Sequence, residues 1–93
     1  MAKLSIDSVV VRRAEPLTTP VDGELVILDM RRGHYLGLDP IGRRIWELLE
    51  HPRSVEALCA TLEGQFAVSA ETCRADVLVL LEQLADAELI EIG

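Results

Sequence analysis

Positive charge is scarce in this sequence. Nine lysines and arginines stand against 16 aspartates and glutamates, a formal net charge of −7. A surface of that sign repels phosphate, so nucleic acid and anionic lipid are poor partners. Long apolar runs are missing as well: none approaches the ~18 residues that a membrane span needs. The stretch from Met1 to Ser8 lacks the apolar core of a signal peptide, so the chain reads as cytoplasmic. Cysteine is limited to Cys59 and Cys73, each inside an apolar helical pattern. Both read as small buried hydrophobes, reduced in a cytosolic setting. Their spacing, with only His34 and His51 elsewhere, is no zinc pattern, and nothing calls for a metal or a cofactor.

The constellations of an enzyme are absent too. Gly33 and Gly37 have the wrong spacing for a phosphate loop and no Lys-Ser/Thr follows them. His51 stands at a helix end before Pro52, where the helix dipole explains it, and His34 falls on a strand. The acidic residues are spread over helix surfaces. The chain is therefore expected to have no catalytic activity of its own.

The 93 residues are the length of one small domain, read as residues 1–93, and the 49% apolar content is enough for a folded core. The N-terminal part reads as strands. Val9, Val10 and Val11 form a β-branched run, Pro16 and Pro20 break the next stretch, and Asp22-Gly23 is a turn dipeptide. Leu25 to Leu28 is a continuous β-prone run, and Arg31-Arg32-Gly33 turns the chain into a third strand, His34 to Leu38. The rest reads as helices. Asp39 and Pro40 open the first, which His51-Pro52 ends; Ser54 caps the second and Ser69 the third. Leu89, Ile90 and Ile92 form a short extended end.

The predicted fold class is α+β, a winged helix-turn-helix-like arrangement in which a three-stranded antiparallel sheet, ordered one-two-three, precedes three helices. DNA is the first partner such a fold brings to mind. The third helix, however, carries Arg74 alone against Glu71, Asp76, Glu82 and Asp86, the wrong sign for a recognition helix. A helical wheel places Cys73, Val77, Leu80 and Leu84 on the core stripe. Arg74, Leu78, Leu81 and Ala85 make a broad shoulder beside it, and Val79 lies opposite between Asp76 and Gln83. That apolar excess is covered either by the sheet or by a ligand. The third strand is a sheet edge with unpaired N–H and C=O groups. An open edge beside an apolar helix makes a groove for an extended peptide.

Several motifs carry a family resemblance. Gly23-Glu-Leu-Val-Ile-Leu-Asp29, Gly33-His-Tyr-Leu-Gly-Leu-Asp39, Pro40-Ile-Gly-Arg-Arg-Ile-Trp-Glu-Leu-Leu49 and Ser54-Val-Glu-Ala-Leu58 resemble the PqqD-like proteins. So does the tail with Asp76-Val77, Leu80-Leu81, Leu84 and Glu88-Leu89-Ile90. These proteins are RiPP recognition elements, which bind ribosomally made, post-translationally modified peptides. The family often has Asn at the position of Asp39 and Gly at that of Glu88. The short form looks like the stand-alone leader-peptide-binding protein of lasso peptide biosynthesis. The resemblance implies a precursor leader peptide as partner, added as a strand beside the third strand and against the third helix. It also implies a separate cysteine leader protease and the cyclase as partners. Carried onto this chain, the peptide site comprises His34, Tyr35, Leu36, Gly37 and Leu38 on the strand, with Arg74, Val77, Leu78 and Leu81 on the helix. A carrier for another modification pathway and a winged-helix transcriptional regulator are the alternatives.

Overall fold

The computed structural model describes residues 4–13, 17–29 and 33–93, together with the backbone alone of His34. The expected Arg31-Arg32 turn and the break at Pro16 lie outside these residues. The fold is α+β, with three helices, but the described strands form two antiparallel sheets of three rather than one.

The first strand, β1 (Val9–Arg12), does not join the meander expected of it. It runs instead between β5 (Arg53–Ser54) and β6 (Ile90–Ile92) in the order β5-β1-β6. Val10 is fully buried at its centre and pairs with both Arg53 and Ile92. The place expected for β1 in the other sheet is taken by β2 (Leu17–Val21), which pairs with β3 (Glu24–Asp29), which pairs in turn with β4 (His34–Leu38). Pro20 reads in sequence as a breaker. It is accommodated because β2 is an edge strand, where a missing N–H costs no central ladder bond. Asp22 and Gly23, at φ 50° and 84°, close the β2–β3 hairpin in the left-handed conformation that a two-residue turn requires.

Helix α1 (Pro40–Leu48) starts where the sequence places it, with the Gly42 N–H donating to Asp39 Oδ1 at 2.7 Å. No basic residue occupies its last turn. The cations come from the β5-β1-β6 sheet: Arg12 donates to the Trp46 carbonyl at 3.1 Å and Arg53 to the Leu48 carbonyl at 2.6 Å. These carbonyls have no partner within the helix, and the charge complements its negative end. His51, expected in that role, is exposed beyond the helix. Ser54 caps α2 (Val55–Gln65) through the Ala57 N–H, and Ser69 caps α3 (Ala70–Asp86) through the Thr72 N–H. At the end of α3, Glu88 takes φ 59°, and the Leu89 N–H returns to the Leu84 carbonyl at 2.9 Å. This is the left-handed position that usually takes glycine.

The core lies where the three helices meet the inner faces of both sheets. Ile27, Ile45, Leu58, Leu62, Leu81 and Leu84 are among its fully buried side chains. Trp46 is buried with them, as expected, and the Arg12 guanidinium stacks 5.6 Å from its ring centroid.

Candidate peptide-binding cleft

Strand β4 pairs with β3 on one side, in register Leu25↔Leu38, Ile27↔Leu36 and Asp29↔His34, and ends the β2-β3-β4 sheet on the other. Alternation turns Leu36 and Leu38 inward and Tyr35 and Gly37 outward. Leu38 is 2% exposed and Leu36 half-buried, while Tyr35 is 78% exposed and Gly37 is open. The backbone of His34 starts the strand; its side chain lies outside the described structure.

Between β4 and α3 runs a cleft with two lobes. The first, about 370 Å³, is lined by Gly37, Leu38 and Asp39, by Ile41, Gly42 and Ile45 of α1, and by Phe66 and Val68 of the α2–α3 link. Cys73, Asp76, Val77, Leu80 and Gln83 of α3, with Glu24 and Leu62, complete it. The second, about 310 Å³, is lined by Ile27, Asp29, Tyr35, Leu36, Gln83, Ala87 and Leu89. Gln83 belongs to both, and together the two lobes border Tyr35 to Leu38 of β4. Its open strand edge, apolar floor and polar rim suit an extended chain more than a compact ligand.

The wall of this cleft lies on the other shoulder of α3 from the one the wheel favoured. The core stripe is Cys73, Val77, Leu81 and Leu84, with Leu81 fully buried, whereas Leu80 is half-buried and faces the cleft. Of the helix residues expected at the site, Val77 lines the cleft beneath Leu80, but Arg74, Leu78 and Leu81 do not. Leu78 packs half-buried against the core and Arg74 is exposed. Spacings of 73-77-80-84 and 73-77-81-84 are equally helical, so periodicity alone does not choose between Leu80 and Leu81. The choice is made by tertiary packing: α3 lies chiefly against α2 and the β6 end, and Leu81 is fully buried there. The available signal was the pair Asp76 and Gln83, polar residues flanking an apolar strip on the side that lines the cleft. Val79, the other residue of that side, is 56% exposed and turned away from the cleft.

Cys73 reaches the cleft floor, and its thiol points toward the Cys59 carbonyl at 3.9 Å. Both cysteines are free and buried. Burial, and then the neighbouring Cys73, push the Cys59 thiol up to about 11; burial raises Cys73 as well. Neutral thiols of this kind are inert packing groups. Among the described residues no group of three or more His, Cys, Asp or Glu side chains could hold a metal ion, and no helix is long and apolar enough to cross a membrane.

The family described as Coenzyme PQQ synthesis protein D (PqqD) matches residues 24–90, from the start of β3 to the start of β6. The chain belongs to the PqqD family. The resemblance to PqqD-like RiPP recognition elements read from the motifs thus holds. Among solved structures, the PqqD-family fold seen here is similar to that of TbiB1 in complex with the TbiA(beta) leader peptide. The TM-score is 0.75 and the identity 32%, over 87% of this chain and 94% of that one. No curated protein matches.

Proposed function

We propose that this PqqD-family protein binds the leader segment of a ribosomally made precursor peptide by strand addition to β4, and presents it to a separate cysteine leader protease in lasso peptide maturation. The observation that carries this reading is the edge of β4, unpaired among the described residues, beside two adjoining lobes with apolar floors. The leader-peptide complex of the similar TbiB1 supports it. On a five-residue strand, alternate residues face the free edge. About four to six backbone bonds at ~1 kcal/mol each then form, offset by ordering of the peptide, so apolar side chains in the two lobes supply much of the affinity. The chain itself is not an enzyme in this proposal: its role is to hold the leader while its partners, the protease and the cyclase, perform the chemistry.

N-methylation of successive amides along the leader tests the strand addition. Weakening at every second residue is expected, and a uniform response rules it out. Delivery is tested separately. The purified protein alone should leave the precursor intact and should accelerate leader removal when added to the protease; cleavage without the protease would overturn the adaptor reading.

A further inference from the structure

The first lobe of the cleft is apolar at its floor and acidic at its rim. Leu38, Phe66, Val77 and Leu80 line the floor, while Glu24, Asp39 and Asp76 bring three carboxylates to the same lobe from the sheet, the α1 cap and α3. Among the described residues no lysine, arginine or histidine lines it. One oxygen of Asp39 accepts from the Gly42 N–H, but its charge has no cationic partner there, and Glu24 and Asp76 form no ion pair among the described residues. The described cations lie elsewhere. Arg43 and Arg44 meet Glu47, Arg13 meets Glu91, Arg12 and Arg53 hold the end of α1, and Arg74 stands on the opposite shoulder of α3.

We propose that this lobe takes a lysine or arginine side chain of the bound peptide. The methylene stem lies along Val77 and Leu80, and the charged head meets the carboxylates of Glu24 and Asp76. A long cationic side chain has this division into an apolar body and a charged tip. A peptide with Asp or Glu at this register would set like charges together, so the lobe discriminates by sign as well as by shape. The second lobe carries one described carboxylate, Asp29, against three in the first. The cleft thus distinguishes its two ends by charge, with the stronger preference for a cation at the α1 end.

This inference rests on the proposed peptide binding, and one selection separates the two. A displayed library of random peptides about a dozen residues long is panned against the full protein and against a Glu24→Gln, Asp76→Asn double variant. Both residues are exposed, so the variant keeps the fold, which a melting curve verifies. The expected result is enrichment of Lys or Arg at one register position with the native protein and its loss with the variant. A selected peptide should bind the variant roughly two- to fivefold more weakly per carboxylate removed. Raising salt from about 20 mM to about 0.5 M should weaken its binding to the native protein only. Binders without a preferred cation, or equal affinity for both proteins, overturn the cationic assignment and leave peptide binding standing. Failure to enrich any peptide overturns both.

Discussion

At the residue scale, two adjacent leucines distinguish groove from core. Leu80 is half-buried on the cleft wall, and Leu81 is fully buried in the core. Leu80→Ala should weaken leader binding substantially and lower stability by less than ~1.5 kcal/mol, since a partly exposed side chain has less apolar area to lose. Leu81→Ala should cost roughly 2–5 kcal/mol through the cavity it leaves. Leu78→Ala, off the cleft, should leave the affinity nearly unchanged. Calorimetric titrations and melting curves of the three variants check this; a leader-binding defect in Leu78→Ala with Leu80→Ala normal would restore the wall to the other shoulder. The thiols give a pH signature. Burial raises the folded-state pKa of Cys59 to about 11 from the 9.0 of a free thiol. The protonated form is therefore favoured by folding. Its contribution to stability is complete below pH 9 and is lost as pH rises from there through 11. Melting temperatures across that range should fall more steeply for the native protein than for Cys59→Ala; parallel curves would show that the thiol is not linked to folding.

At the scale of elements, the sequence was most legible where local chemistry decides the outcome. Asp39, Ser54 and Ser69 each cap the helix they were expected to cap, because a short oxygen-bearing side chain meeting the first N–H groups requires nothing from the rest of the fold. The strand His34–Leu38 and its edge position were legible from the hairpin pattern. Strand β2 was not, because Pro20 is tolerated only through its edge position, which is a tertiary fact. Strand β5 is two residues long and has no pattern to read. The shoulder of α3 was illegible for a similar reason: which leucine is covered depends on what packs against the helix, chiefly α2. Two helix ends give tests. Glu88 holds a left-handed conformation, so Glu88→Gly should relieve about 1 kcal/mol of backbone strain and raise stability. Arg53 supplies the partner that the end of α1 lacks in its own turn, and Arg53→Ala should cost about 1–2 kcal/mol. Denaturant titrations measure both; a destabilised Glu88→Gly or a neutral Arg53→Ala would show that these ends are held by other means.

At the scale of the molecule, the two sheets differ in how far along the chain their partners lie. The β2-β3-β4 meander joins near neighbours, whereas β1 pairs Val10 with Ile92 and also receives the Gly93 N–H at the Val9 carbonyl, 2.8 Å away. Closing so long a loop carries a larger entropic cost than closing a hairpin and comes late in folding. The β2-β3-β4 meander is thus expected to assemble before the β1 clasp. Core substitutions in the two sheets should then divide between the kinetic limbs. Ile27→Val should mainly slow folding, and Val10→Ala should mainly speed unfolding. A molecule whose clasp has opened would still carry the hairpins that shape the β4 edge, so loosening of β1 and β6 leaves the proposed docking edge in place.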